Sequence, residues 1–415
     1  PPRSTLFPYT TLFRSVLIYT LYYNGGDTTA YFESSSCLVR MFFKKPDVFF
    51  SILSNNLSPE NYFAFDSETG WPGYWRDPQS FAVVRFTAPF ALLGFHSFFA
   101  TTIIVSVLTF TGLWKLYLLF YKQYPKLKNQ FAIAILFVPS VLFWGSGILK
   151  DSFTLSAACW LIYSIYKILV EKKNFIFYII TTIISVYILL SIKPYIFFAV
   201  FLGSVMWIAF EKLNVFKGAV LRTVFFPVFM FVFGAIGAIV LIRVSEMVGG
   251  YYSSMEGILE KAVVTQQDLR RDYYGENSFD IGDYDPSFVG IASKAPQALT
   301  AGLFRPFIWE ARSFVMLVSG LENLFLLLFT LKIIFVAKPG FILKCLIDKP
   351  FLLIFSFAFA LTFAFAIGLT TANFGALVRY KIPLVPFYLS GLFIIDYKYR
   401  LANQRKEFEK RELYQ

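Results

Sequence analysis

The sequence predicts an all-α protein, a polytopic bundle of about nine to ten membrane-spanning helices with extracytoplasmic loop regions. Three observations predict this fold class. Hydrophobic residues make up 57% of the 415 residues and charged residues only 15%, whereas soluble domains carry about 25% charged residues. The mean hydropathy is +0.60. Apolar runs of about 20 residues, long enough to cross a lipid bilayer as a helix, recur along the chain.

The predicted spans are apolar runs in which charged residues are rare. A helix rises about 1.5 Å per residue and the hydrocarbon core is about 30 Å thick, so each span needs about 20 residues. On this measure the spans are 98–120, 131–148, 153–170, 175–192, 195–210, 220–242, 314–336, 351–369 and 382–395, and residues 16–23 are the stub of a tenth.

The stretch GSGILKDS at 145–152 interrupts the apolar run 131–170. As one helix this run would be about 60 Å long, twice the thickness of the membrane, so it must fold back on itself. Gly145 and Gly147 mark the predicted turn.

Two interpretations of the charges in this turn stay open. Asp151 or Ser152 would cap a helix that begins at Phe153, while Lys150 reaches the lipid headgroups. Alternatively, the helix N-terminus and Lys150 together favour an anion such as a phosphate at the membrane surface.

Lysine and arginine residues in the short loops predict the orientation, because they concentrate on the cytoplasmic side. One set of alternate loops, with the tail after Asp396, carries sixteen of them, and the opposite set carries Lys150, Lys193, Arg379 and Lys381. The protein is therefore predicted to be multi-pass with a cytoplasmic C-terminus. Residues 24–95, 145–152, 243–312 and 371–381 are then extracytoplasmic.

The spans and loops divide the chain into six segments. Residues 1–15, PPRSTLFPYTTLFRS, resemble translated sequencing adapter at the edge of a contig, so we expect a non-native segment and a missing natural start. The others are 16–97, a partial first span and an extracytoplasmic loop with interfacial helices; 98–242, a transmembrane bundle; 243–312, an extracytoplasmic insertion; 313–396, a C-terminal transmembrane bundle; and 397–415, a basic cytoplasmic tail.

The charged and metal-binding residue types exclude several classes of function. The chain has 38 basic and 26 acidic residues, but the basic ones lie in short clusters between apolar segments, so no nucleic-acid partner is predicted. Three cysteines and one histidine exclude a disulfide framework, zinc-finger spacing and a multi-histidine metal site. Any metal would need carboxylate ligands, and we assign no metal-binding residue.

The segment LFRPFIWEAR at 303–312 has the densest mixture of charged and aromatic residues. Arg305 and Trp309 are ordinary anchors at a span boundary. Glu310 gains nothing from anchoring, however, and Glu322 lies about three turns further along, where a carboxylate is costly and tends to mark function or a buried pair. These residues are therefore candidates for a site.

Two further stretches carry candidate residues. NFGALVRYKIP at 373–383 contains Asn373, Arg379 and Lys381, whose cations either reach headgroups or, with Lys150 and Arg305, neutralise a phosphate. GGDTTAYF at 25–32 contains Asp27, which is either part of a common turn or a base that takes a proton from a hydroxyl.

Four stretches carry a resemblance to a known family: GGDTTAYF at 25–32, PSVLFWGSGILKDS at 139–152, LFRPFIWEARSFVMLVSGLEN at 303–323 and NFGALVRYKIPLVPF at 373–387. Together they are similar to the multispanning proteins of bacterial surface-polysaccharide synthesis. More broadly, they resemble the C-type glycosyltransferases, which include protein mannosyltransferases and exopolysaccharide polymerases.

The resemblance implies an enzyme of the bacterial cytoplasmic (inner) membrane that transfers sugar from a polyprenyl-phosphate-linked donor to a saccharide acceptor at the extracytoplasmic face. Asp27 matches the base, and Lys150, Arg305 and Arg379 match the phosphate ligands. The first loop of many such enzymes has an acidic pair, whereas Thr28 follows Asp27 here. The cations would stabilise the leaving phosphate without a further cofactor, or together with a divalent cation held by carboxylates.

Two other classes of function remain open. A transporter or flippase for lipid-linked saccharides would use the external cations as an entry vestibule, but it should also show polar residues deep in several spans. A noncatalytic membrane assembly subunit would bind the lipid-linked substrate without turnover.

Overall fold

The computed structural model describes residues 25–213, 243, 254–271, 277–347 and 352–413. The predicted non-native segment 1–15, the stub 16–23 and the span 220–242 lie outside the described residues. Within them the secondary structure is helical, as the sequence predicts, and a β-bridge joins Ser278 to Asn373. The all-α fold class is therefore confirmed.

The chain packs as two compact units. The first runs to Leu116 and resumes from Leu142 to Pro194, and the second contains Tyr117–Val141 and the chain from Tyr195 onward. The first stretch of this unit contains α1 Asp27–Lys44, α2 Pro46–Leu53, α3 Pro59–Phe63, α4 Pro78–Leu93 and α5 Phe98–Gln123, whose last residues belong to the second unit. The second stretch contains α8 Lys150–Tyr166 and α9 Phe175–Ile192.

The second unit takes up the chain between α5 and α8, and resumes after α9. Its helices are α6 Lys128–Phe131, α7 Pro139–Trp144, whose last residues belong to the first unit, α10 Pro194–Leu213, α11 Met255–Leu269, α12 Phe288–Ser293, α13 Ala295–Phe304, α14 Phe314–Ala337, α15 Pro339–Ile347, α16 Leu352–Thr370, α17 Phe374–Tyr380 and α18 Val385–Leu413.

Several helices are long and apolar enough to cross a membrane. Among the described residues they are α5, α8 with its continuation to Glu171, α9, α14 and α16. Helices α17 and α18 meet at a 63° bend and together form a sixth candidate span. The protein is therefore a polytopic helical membrane protein.

The predicted span 131–148 is not one continuous helix. Helix α6 passes into a π-helical turn at Ala132–Leu136, and α7 then begins at Pro139. Proline lacks a backbone N–H and disfavours helical geometry in the residue before it, here Val138. Hydropathy detected the apolar character of this segment but not its break.

The last predicted span, 382–395, also differs in the structure. Helix α18 begins at Val385 and continues to Leu413, while α17 ends at Tyr380. Pro383 cannot donate the backbone hydrogen bond that would continue α17, so the chain bends before α18 starts. The bend places Lys381 between two helix ends.

In the first unit, α1 packs on α4 through an aromatic and aliphatic core. Phe81 of α4 is fully buried with Leu38 and Met41 of α1, and its ring lies 4.8 Å from that of Trp75. Where α1 ends, Lys44 forms ion pairs with Asp66, at 2.7 Å, and with Glu68. This pairing fastens the loop 64–70 to the end of α1.

In the second unit, α13 crosses α16 at very short range. A Cβ atom added at Gly302 would lie 2.0 Å from the carbonyl oxygen of Ala364, and one at Gly368 would lie 1.9 Å from that of Ala298. Ala298 and Gly302, like Ala364 and Gly368, are four residues apart, which is the small-residue spacing that lets membrane helices approach closely. The crossing therefore depends on glycine.

We expect Gly302→Val to destabilise the second unit by about 3 kcal/mol or more, because the added side chain forces two helix backbones apart. Thermal unfolding of the purified protein in detergent measures this loss. Gly340→Ala is the matched control, since nothing lies within 4 Å of a Cβ at that position. Equal stability of the two variants would contradict the close crossing.

We expect the loop 64–70 to weaken in acid. The hydrogen bond from Lys44, followed by that from the backbone N–H of Thr69, lowers the pKa of Asp66 from 3.8 to about 2. A carboxyl group whose pKa is lower in the folded than in the unfolded state stabilises the fold at pH values above the unfolded-state pKa. This contribution disappears as the pH falls from 3.8 towards 2. An NMR titration of the Asp66 carboxyl carbon measures the midpoint.

In the Lys44→Met variant the Asp66 midpoint should rise towards 3.8, because the first-named cause of its depression is gone. Lys45→Met should leave the midpoint unchanged, since Lys45 donates to the backbone oxygen of Ala64 instead. A midpoint that is the same in both variants would show that Lys44 does not control Asp66.

Candidate functional site

The turn GSGILKDS lies where the sequence predicts it, but the capping interpretation is wrong. Helix α8 begins at Lys150, and Leu149 occupies the N-cap position without a side-chain hydrogen bond. Ser152 instead accepts a hydrogen bond from the Gly147 N–H at 3.3 Å and donates to the Trp144 carbonyl at 3.3 Å. Its hydroxyl group therefore closes the turn that precedes α8.

Asp151 forms a buried ion pair with Lys193. The lysine Nζ lies 2.5 Å from the carboxylate, and neither residue has more than 5% of its surface exposed. Lys193 follows the last residue of α9, so the pair joins the end of α9 to the start of α8. Removal of either partner would leave the other charge buried without it, which is far more costly than losing an exposed pair.

Lys150 contacts a different carboxylate. Its Nζ lies 3.6 Å from Asp77, which caps α4 by accepting hydrogen bonds from the N–H groups of Gln79 and Ser80. Burial acts to raise the pKa of Asp77, but the Ser80 hydrogen bond and the Lys150 charge outweigh it, so the pKa lies below its usual value. Lys150 is thus adjacent to a carboxylate at a helix N-terminus.

Asp27, the predicted base, is the first residue of α1 and is half-buried. Gly26, which precedes it, has a backbone φ of 75°, a conformation that glycine adopts without strain. A carboxylate in the first turn is favoured by the helix dipole. The catalytic role of Asp27 stays a prediction.

In the second unit, Arg305 and Glu310 form a multiply bonded ion pair. The guanidinium Nε donates to both carboxylate oxygens, at 3.1 and 3.2 Å, and Nη2 donates to Oε1 at 2.5 Å. Glu310 also accepts a hydrogen bond from the Phe307 N–H at 2.8 Å. The segment between α13 and α14 therefore folds around its own ion pair.

Two phenylalanines fix the other face of Arg305. Its guanidinium carbon lies 4.5 Å from the ring centroid of Phe279 and 5.1 Å from that of Phe374. These are favourable cation–π distances. The Phe279 N–H also donates to the Ala372 carbonyl at 2.8 Å, which holds the two aromatic segments together.

Lys381 is fully buried and contacts the backbone of the segment that carries this ion pair. Its ammonium donates to the carbonyl oxygens of Leu303, at 3.0 Å, and Arg305, at 3.3 Å, and to the side-chain oxygen of Asn323. Asn323 in turn donates to the Pro306 carbonyl at 2.9 Å. Lys381 and Asn323 thus join the segment 303–306 to α14 and to the bend between α17 and α18.

Glu322, the carboxylate predicted to be costly inside a span, has partners on α7. The hydroxyl of Ser140 donates to it at 2.7 Å and the Ser140 N–H at 3.1 Å. A carboxylate at a helix N-terminus is stabilised by the unpaired N–H groups there. The break at Pro139 therefore provides the donors that this carboxylate needs.

The remaining predicted residues occupy distinct positions in the second unit. Trp309 is 78% exposed and its ring stacks on Phe307 with the centroids 4.8 Å apart. Asn373 caps α17 by accepting from the Ala376 N–H at 3.1 Å. Arg379 is half-buried in the last turn of α17.

The structure thus groups the predicted residues by unit. Asp27, Lys150 and Asp151 belong to the first, and Arg305, Glu310, Glu322 and Lys381 to the second. The assignment of Asp27 as base and of Lys150, Arg305 and Arg379 as phosphate ligands stays a prediction. Sequence analysis missed Asn323 and Ser140, although the adjacent polar pair Glu322 and Asn323 within an apolar run was a signal.

Neither a metal-ligand cluster nor a similar protein points to the function of these residues. In the ranges that the structure describes, no group of three or more His, Cys, Asp or Glu residues is arranged to hold a metal ion. Comparisons of the chain with family models, with curated proteins and with solved structures found no match.

We expect Lys193→Met to cost about 3–5 kcal/mol of unfolding free energy, because it removes the cation that pairs with the buried Asp151 carboxylate. The double variant Asp151→Leu/Lys193→Met should recover most of this loss, since it removes both charges. Denaturant unfolding in detergent measures the three values.

Lys150→Met is the matched control, with an expected cost below about 1 kcal/mol because the Lys150 contact with Asp77 is longer and more exposed. If Lys193→Met and Lys150→Met lost equal stability, the buried pair would not be the important contact.

Proposed function

We propose that this protein is an integral membrane glycosyltransferase or polysaccharide polymerase that uses polyprenyl-phosphate-linked sugars at the extracytoplasmic face. The observation that supports this function best is the preformed Arg305–Glu310 pair beside the exposed ring of Trp309. It combines a cation for a phosphate with an aromatic surface for a sugar, in a protein that spans the membrane in which such donors reside.

Arg305 would stabilise the leaving phosphate. When the bond between the sugar and the phosphate breaks, negative charge develops on the phosphate oxygens, and a positioned guanidinium lowers the energy of that state. The Arg305 side chain keeps 20% of its surface exposed, while Glu310 and the two phenylalanine rings fix its orientation. Such preorganisation is what electrostatic catalysis requires.

Trp309 would bind the sugar. An exposed indole presents an apolar face and an N–H donor, which suits a pyranose ring with its apolar face and its hydroxyl groups. Stacking on Phe307 orients the indole, and Trp309 directly precedes Glu310, the partner of Arg305, in the chain. The sugar and its phosphate would then lie on adjacent side chains.

The transfer itself needs a base. A carboxylate takes the proton from the acceptor hydroxyl, the resulting oxygen forms a bond to the anomeric carbon, and the bond between that carbon and the phosphate oxygen breaks. The lipid phosphate leaves with the electron pair. Asp27, the first residue of α1, is the proposed base, because the resemblance implies an acidic residue in the first external loop.

The charge bias of the loops supports the extracytoplasmic placement. It predicts that the stretch 303–312 lies on the side opposite the Lys- and Arg-rich loops and tail. Polyprenyl-linked donors in this compartment need no soluble nucleotide. The bacterial cytoplasmic membrane is the proposed location.

We expect Arg305→Ala to lower the rate of sugar transfer about 100-fold, because it removes a donor from the developing phosphate charge. The assay uses purified protein in lipid vesicles with a radiolabelled polyprenyl-diphosphate sugar and a saccharide acceptor. Trp309→Ala should instead raise the KM for the donor, and Trp309→Phe should retain part of the binding.

Arg271→Ala is the matched control, since Arg271 is exposed and pairs only with the neighbouring Asp268 among the described residues. Circular dichroism and size-exclusion chromatography establish that each variant folds. Transfer by folded Arg305→Ala at the control rate would refute the phosphate assignment. Binding without turnover would favour an assembly subunit, and movement of an unmodified lipid-linked saccharide across the vesicle would favour a flippase.

A further inference from the structure

Arg85 of α4 is a buried cation whose charge has no acidic partner. Only 3% of its surface is exposed, and none of the described carboxylates lies within 4 Å of its guanidinium. Its Nη1 donates to the Leu53 carbonyl at 3.2 Å, while Nε is buried without a hydrogen-bond acceptor. The ring of Phe86, 5.8 Å away, contributes a weak cation–π contact. Buried charges in proteins are normally paired, so this arrangement lacks an anion.

Arg85 lines a cavity of about 590 Å³ in the first unit. The wall comes from α4, α5, α8 and α9 with Leu53 of α2, and it is mainly apolar, with Phe90, Leu108, Phe153 and Ile188 as typical members. Among the described residues that line the cavity, Arg85 is the one that carries a charge. The buried hydroxyl-bearing residues Thr109, Ser156 and Ser185 also belong to the wall.

We propose that this cavity binds an anionic phospholipid of the surrounding bilayer, with the phosphate on Arg85 and an acyl chain along the apolar wall. The unsatisfied guanidinium requires an anion, and the apolar wall requires a chain. A phosphodiester headgroup such as that of phosphatidylglycerol carries one negative charge and matches the single cation. A lipid diphosphate would bring further negative charge, and the described lining residues include no second cation to compensate it.

The inference does not depend on the proposed function. Arg85 belongs to the first unit and the Arg305 cluster to the second, and lipid binding is measured without sugar transfer. Failure of transfer with intact lipid binding would refute only the enzyme, and the reverse result would refute only the lipid site. Basic pockets between membrane helices are a known physical solution for holding lipid headgroups.

Trp160 lines the same cavity and provides the reporter. Purified protein in nanodiscs of phosphatidylcholine is titrated with phosphatidylglycerol brominated on its acyl chains, which quenches tryptophan at short range. Subtracting the same titration of Trp160→Phe isolates the cavity signal from the other tryptophans. We expect saturable quenching whose midpoint lies at least tenfold lower in mole fraction than with brominated phosphatidylcholine.

Arg85→Gln should abolish this preference for the anionic lipid, and Arg85→Lys should keep part of it. Arg76→Gln is the matched control, because Arg76 is an exposed cation in the same unit and should leave the midpoint unchanged. Should Arg85→Gln fail to fold, Ser185→Phe tests the proposal independently by filling the cavity while Arg85 stays in place. It should then remove the Trp160-dependent quenching.

Three results would overturn the proposal: equal midpoints for the anionic and zwitterionic lipids, an unchanged preference in folded Arg85→Gln, or undiminished quenching in folded Ser185→Phe. A fourth would be displacement of brominated phosphatidylglycerol by polyprenyl phosphate at a mole fraction below its own midpoint. That outcome would assign the cavity to the donor lipid instead of a bilayer phospholipid.

Discussion

The ammonium group of Lys381 is fully buried, and three protein oxygens accept hydrogen bonds from it. A charge removed from water is costly unless such acceptors are fixed around it, so the position of Lys381 constrains everything that provides them. The segment 303–306 must stay close to the bend before α18, and Asn323 must face that bend from α14. The orientation of Arg305, whose own carbonyl is one of the acceptors, follows from the same constraint.

The same rule accounts for the first unit. The charges of Asp151 and Lys193 neutralise each other where the start of α8 meets the end of α9. Lys150, the residue before Asp151, contacts Asp77. Arg85 departs from the rule, because among the described residues its buried guanidinium has one backbone acceptor and no carboxylate. It is the cation on which the proposed phospholipid phosphate would bind.

The sequence predicted the helical class and most spans because the bilayer imposes a length and a composition that are local properties of the chain. It predicted the turn at 145–149 from length alone. The partners of the charged residues were not predictable in this way: Asp151 and Lys193 are 42 residues apart, and Asn323 and Lys381 are 58 apart. Lys150, Lys193 and Lys381 look alike as lysines at span ends, yet one is near a helix-capping carboxylate and two are buried.

Helix breaks connect these observations. A broken helix leaves carbonyl oxygens at one end and N–H groups at the other, and within a membrane those groups must find partners inside the protein. The carbonyls of Leu303, in the last turn of α13, and of Arg305 and Pro306, which follow it, accept hydrogen bonds from Lys381 and Asn323. The Ser140 N–H of α7 donates to Glu322. The breaks are encoded by proline, at Pro139, Pro306 and Pro383. A charged residue in an apolar run that also contains proline therefore indicates a buried polar junction more strongly than the charge does alone.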